Sequence, residues 1–202
     1  MRYIILAVFA ILGYLIGSLN FSIIIGKMFY KTDVRDHGSK NAGATNTLRT
    51  LGKIPAFTVL FLDAAKGVIA CLLSYIITRD YIVSYTAATG AILGHNFPVF
   101  FGFRGGKGVI TSLGAIFCIN WQIGIIVLAA SVAMIAIWKY VSLGAIFGSF
   151  LAIALFFVMD RSLPKIILIF IIAGLLIYRH RTNISRLLKG TENKLSFSKH
   201  GK

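Results

Sequence analysis

Long apolar runs alternate along this chain with three stretches suited to water rather than lipid. Residues 4–25, 56–77, 81–93, 143–159 and 166–178 each read as a membrane-spanning helix, and residues 109–138 add a run of 30 without a charge. As one straight helix that last run would measure about 45 Å, against a hydrocarbon core of about 30 Å, so it either tilts strongly or folds back near Asn120-Trp121-Gln122. The polar interruptions are 33–53 (DVRDHGSKNAGATNTLRTLGK), 94–108 (GHNFPVFFGFRGGKG) and 179–192 (RHRTNISRLLKGTE).

Charge decides between tilt and hairpin. With a hairpin, 16 of the 21 Lys and Arg share one side, leaving Arg2, Arg79, Arg161 and Lys165 opposite and Lys66 within a span. One long helix would send the basic C-terminal tail across the membrane, against the positive-inside rule. The expectation is therefore an all-α polytopic protein of seven transmembrane helices, N-terminus outside and C-terminus cytoplasmic. Residues 1–202 would form a single membrane-embedded domain with a basic tail at 194–202. All three polar stretches then face the cytoplasm. The spans at 81–93 and 166–178 are only about 20 Å long, so polar loops can dip inward where they line a cavity.

Composition agrees with this class. A chain 57% hydrophobic, 13% charged and of mean hydropathy +0.84 is too apolar for a soluble domain. The net charge of +15 would suggest nucleic acid in a soluble protein, but here the cations lie between spans and follow topology. Residues 4–25 lack an A-x-A cleavage pattern and run on into further spans, which reads as a retained first helix. Cys71 and Cys118 fall inside apolar segments and read as packed free thiols. The hexapeptide SLGAIF occurs at 112–117 and again at 142–147, and Gly13-x-x-x-Gly17 and Gly144-x-x-x-Gly148 are spaced for close helix approach.

The chemistry sits in the polar stretches. Gly38-Ser39-Lys40-Asn41-Ala42-Gly43-Ala44-Thr45-Asn46 followed by Arg49 offers backbone N–H groups and a guanidinium to phosphate oxygens. Asp33, Arg35 and Asp36 read as a solvated, charged entry to that loop. Arg104-Gly105-Gly106-Lys107-Gly108 superficially suggests a nucleotide P-loop, but Phe101 and Gly108 stand where that motif needs Gly and Ser or Thr. What remains is a Gly-rich turn with a cation at a helix start, which suits a phosphate in its own right. His95 and Asn96 precede it, as ligands or as partners of the local backbone. In the third stretch Ile184, Leu187 and Leu188 mark a short amphipathic helix, with Arg186 and Lys189 toward lipid headgroups and Glu192 ready to pair with a loop cation. Asp63 and Lys66, three apart within 56–77, can pair on one helix face. A His with Asp five residues on is absent: His37, His95 and His180 are followed there by Ala42, Phe100 and Ser185. No nucleophile elbow or metal-ligand cluster appears either.

Three ordered motifs carry a resemblance. Gly17-Ser18, Gly38–Asn46 with Arg49, Gly94-His95-Asn96-Phe97-Pro98 through Gly108, Ser142-Leu143 and Asn183 through Glu192 together resemble the bacterial acyl-phosphate:glycerol-3-phosphate acyltransferase family, PlsY. That resemblance implies transfer of a fatty acyl group from acyl phosphate to glycerol 3-phosphate in phospholipid biosynthesis. It implies a multi-pass protein of the inner or plasma membrane with its active site facing the cytoplasm, no cofactor, no metal, and functional coupling to a soluble acyl-phosphate synthase. Ser142, Asn183 and Lys107 would be catalytic through positioning and charge stabilisation. Ser39, Asn41, Asn46, Arg49, His95, Arg104, Gly105, Gly106, Gly108 and His180 would join them in binding substrate. Lys40 departs from the family pattern and receives no role. The rival from another class is a small transporter of an organic phosphate, which would place polar residues in both halves of the membrane. Only the cytoplasmic half has them here.

Overall fold

The computed structural model describes residues 1–195, which are helical apart from short turns. The expected basic tail lies outside the described residues from 196 onward. Among the described residues there are ten α-helices: α1 (Arg2–Ser18), α2 (Phe21–Tyr30), α3 (Ala44–Thr50), α4 (Lys53–Thr78), α5 (Tyr81–Asn96), α6 (Val109–Ile119), α7 (Trp121–Trp138), α8 (Val141–Leu155), α9 (Leu163–Arg179) and α10 (Arg181–Leu188). Four stretches are long and apolar enough to cross a membrane: Arg2–Tyr30, Lys53–Thr78, Trp121–Trp138 and Val141–Asp160. The bent pair α9 and α10, at 59°, makes a fifth. Helices α5 and α6 stand where the other two spans are expected, but α6 has only 11 residues, about 16 Å of rise.

Within the described residues the chain divides into two compact units, 1–118 and 119–195. In the first, α1 lies against α5 with almost no side chain between the backbones. A Cβ on Gly13 or Gly17 would overlap the carbonyls of Ala87 and Ala91, and one on Gly94 would come 2.7 Å from the Ser18 nitrogen. Gly13-x-x-x-Gly17 therefore serves close approach, as its spacing suggests. The apolar run at 4–25 is not one helix. It breaks at Leu19-Asn20, where Asn20 caps α2 by accepting from the Ile23 N–H at 3.2 Å.

The uncharged run 109–138 also breaks, at Asn120, whose side chain accepts from the Ile123 N–H at 3.2 Å and caps α7. In the second unit α7 packs on α8 and α8 on α9. Gly144 faces α7, 2.8 Å from the Ser131 oxygen for a built Cβ, whereas Gly114 faces Ala64 of α4 in the first unit. The SLGAIF repeat thus supplies a small residue to two separate helix contacts. Helices α2, α4 and α7 end on Lys31, Arg79 and Lys139 in the left-handed conformation, cations where the helix dipole is negative. Cys71 is buried beside Ser84 at 3.1 Å, but Cys118 is exposed and not packed as expected.

Candidate active site

Two motifs far apart in sequence meet in the first unit. Val34 and Ala42 from the first polar loop bury with Ile23 of α2, and Leu51 and Phe101 pack against them. The Ser22 hydroxyl meets that of Thr47 at 2.7 Å, which pins α3 to α2. Asp33 caps a 3-10 turn at Val34–Asp36, and its carboxylate takes Arg35 at 3.0 and 2.8 Å. Arg35 in turn donates to the carbonyls of Phe101 at 2.7 Å and Arg104 at 3.3 Å. Its hydrogen bonds hold the Asp33 carboxyl well below the usual carboxylate range. Asp33 and Arg35 are therefore not a solvated entry but a strut joining the first loop to the second.

Gly105, Gly106 and Gly108 are buried and the backbone uses their lack of a side chain. The Gly106 N–H donates to the His95 carbonyl at 3.0 Å, and a Cβ on Gly106 would lie on His95 Nε2 and 2.6 Å from the Ala42 oxygen. Gly108 has φ +78°, a left-handed position that favours glycine, and hands the chain to the N-terminus of α6. Asn96 is fully buried against Gly108, and among the described residues neither atom of its amide finds a hydrogen-bond partner. The hydroxyls of Thr111 and Ser112, in the first turn of α6, are buried and unpaired in the same way. Buried donors without partners at a helix N-terminus are costly unless an anion or polar ligand takes them.

The second unit builds its own polar cluster. Glu192 accepts from Ser142 Oγ at 3.0 Å, Asn183 Nδ2 at 2.7 Å and Arg186 Nε at 2.7 Å. Burial pushes its pKa up, but the hydrogen bonds from Arg186, Asn183 and Ser142 outweigh that and hold it below the ordinary glutamate value. His180 stands at the junction of α9 and α10, and its Nδ1 donates to the Leu176 carbonyl of α9 at 2.9 Å, which spends one ring nitrogen on the preceding helix.

Comparison with known proteins separates an enzyme from a transporter. Residues 7–190 match the family model described as glycerol-3-phosphate acyltransferase. The chain belongs to that family. Glycerol-3-phosphate acyltransferase of Shouchella clausii is 47% identical over 189 residues, covering 91% of this chain and 92% of that one. Its counterpart from Halalkalibacterium halodurans is 46% identical, covering 93% and 94%. Among solved structures, PlsY, an integral membrane glycerol 3-phosphate acyltransferase in its glycerol 3-phosphate form, superposes with a TM-score of 0.89 at 37% identity, covering 95% of this chain and 96% of that one.

Within this acyltransferase chain the expected site residues fare differently. Ser39 and Arg49 are exposed, Asn41 and Lys107 half-buried, and Arg104 exposed with its carbonyl on the Arg35 strut. Asn46 needs correction as a substrate ligand. Its Oδ1 accepts from the Ser39 N–H at 2.8 Å, and its Nδ2 donates to the Val34 and His37 carbonyls at 2.7 and 3.1 Å, so it braces the loop. Arg186, expected to face lipid headgroups, is tied to Glu192, and Glu192 pairs with that helix cation, not with one from a loop. Asn183 lies inside α10 and donates to Glu192. Glu192 and Asn96 are what residue-type reasoning undervalued. A lone tail acid carries no pattern, and an Asn between His and Phe looks like any turn former.

Proposed function

We propose that this acyltransferase moves a fatty acyl group from acyl phosphate to glycerol 3-phosphate, giving lysophosphatidic acid and inorganic phosphate on the cytoplasmic side of the cell membrane. The observation that carries the reading is the convergence of the first loop and the Gly105–Gly108 turn on Gly106, at the N-terminus of α6. Relatives are named for glycerol 3-phosphate, and PlsY has been solved in glycerol 3-phosphate and lysophosphatidic acid forms. Both substrates are anions, so cations and N–H groups must suppress their repulsion before any bond changes. Arg49 and Lys107 supply charge, and the Gly-rich backbone lets a phosphoryl group approach closely. A glycerol hydroxyl oxygen then attacks the acyl carbon, the acyl carbon–phosphate oxygen bond breaks, and the leaving phosphate takes the hydroxyl proton. Ser142 and Asn183 orient the acceptor. Glu192, with its lowered pKa and three donors, is a weak base and serves as the anion that sets those two side chains. The donor is already an activated anhydride, so positioning and charge stabilisation suffice.

The donor is tested by offering the detergent-purified protein acyl phosphate, acyl-CoA and acyl carrier protein separately with glycerol 3-phosphate. Turnover is expected with acyl phosphate alone, because no nucleotide-binding motif accompanies the Gly-rich turn. Comparable turnover with acyl-CoA would overturn the donor assignment.

The proposed topology has seven spans, α5 and α6 included, with the N-terminus outside. Single cysteines at Ser39, Arg104 and Lys194, in a chain with Cys71 and Cys118 replaced by alanine, should react only with reagent supplied to the cytoplasmic side. Labelling of the Lys194 position from outside would reverse the orientation of the last helices.

A further inference from the structure

Lys66 occupies an unusual place for a membrane-helix cation. It is 2% exposed, and its ammonium lies 2.9 Å from Asp63 Oδ1, 3.1 Å from the carbonyls of both Gly17 and Leu19, and 2.8 Å from His95 Nδ1. The Gly17 and Leu19 carbonyls can only accept, and with His95 Nδ1 they take the three N–H donors of the ammonium, while Asp63 Oδ1 faces that charge as an ion pair. His95 Nδ1 stands 3.6 Å from Asp63 Oδ1, too far for a direct hydrogen bond, and so receives its proton contact from Lys66. That leaves the imidazole's own proton on Nε2, the edge turned toward Gly106 and the Ala42 carbonyl. The same ammonium takes the carbonyls freed where α1 breaks before α2, so one buried charge fixes three elements around the glycine turn.

We propose that Lys66 is a positioning residue for acyl transfer: clamped by Asp63, it fixes His95 as the Nε2–H tautomer beneath Gly106 and so holds the Gly105–Gly108 turn in its phosphate-receiving shape. The inference rests on the reading of that turn as a phosphate site. Removing Lys66 alone would strand the Asp63 carboxylate in the interior, so the variant is Asp63→Asn/Lys66→Met, which removes both charges together.

Two readouts on the full chain in detergent test it. In 15N-histidine NMR, with His95 assigned by its loss in His95→Gln, the wild type should show a neutral Nε2–H ring, and the double variant a mixture of tautomers. In kinetics the double variant should raise KM for glycerol 3-phosphate about tenfold, and adding His95→Gln should cost little more, since groups acting as one unit are non-additive. An unchanged His95 spectrum, a changed spectrum with unchanged kinetics, or losses that multiply would each overturn the proposal. If the wild type failed to use glycerol 3-phosphate at all, the turn's reading would fall, and the NMR arm alone would decide whether Lys66 sets the His95 tautomer.

Discussion

Replacing Lys107 or Arg49 with alanine is expected to lower kcat/KM by roughly a hundredfold, about 3 kcal/mol, while leaving the protein folded. Each element has anchors of its own besides that side chain. Lys107 is half-buried in a turn shaped by the glycines on either side and by the His95 carbonyl. Arg49 projects from α3, which is held by the Ser22–Thr47 hydroxyl contact and by Thr47 Oγ1 on the Gly43 carbonyl at 3.2 Å. On the proposed reading each variant would lose a charge for substrate phosphate, and charge-assisted hydrogen bonds are the strong ones once substrate excludes water. Salt should weaken the Arg49 contribution more than the Lys107 contribution, since the exposed guanidinium is screened more. Thermal unfolding in detergent and steady-state kinetics with glycerol 3-phosphate check both points. A folded variant with wild-type kinetics removes that residue from the site.

How far the sequence foretold the site depends on whether each interaction is local. Spans such as Lys53–Thr78 follow from apolar length, and the polar loops from Gly, Asn and cations clustered between spans. The break at Asn120 is legible because thirty uncharged residues exceed the membrane and the distribution of Lys and Arg favours a fold-back there. The break at Leu19-Asn20 is not, because hydropathy runs straight through it and the cation that receives its carbonyls, Lys66, lies 49 and 47 residues away. Asp33 and Arg35 read as solvated from their neighbours alone. Their burial depends on the carbonyls of Phe101 and Arg104, 66 and 69 residues on. Asn46 shows the opposite error: its residue type and loop suit a ligand, but three backbone groups already occupy its amide. Glu192 meets Ser142 across 50 residues, a pairing no spacing rule encodes.

Gly106→Ala is expected to damage this enzyme severely. The new Cβ would strike His95 Nε2 on one side and the Ala42 oxygen on the other, and neither can yield. His95 is held by Lys66, while the Ala42 carbonyl receives Asn20 Nδ2 at 3.3 Å and its residue is packed in the Ile23–Val34 core. The turn must therefore move, at a cost of about 1–3 kcal/mol of stability by the usual toll of overpacking. Activity should fall further, because a displacement of about 1 Å in a positioning element can cost on the order of a hundredfold. Gly174→Ala provides the contrast. No atom lies within 4 Å of its built Cβ in α9, so alanine there should leave kinetics unchanged and stabilise by about 0.5–1 kcal/mol through helix propensity. Melting temperatures and KM for glycerol 3-phosphate, measured on both variants in the same detergent, give the comparison. A Gly106→Ala protein with the wild-type KM would show that close backbone approach at this turn is not what receives the phosphate, and the convergence on Gly106 would then be packing alone.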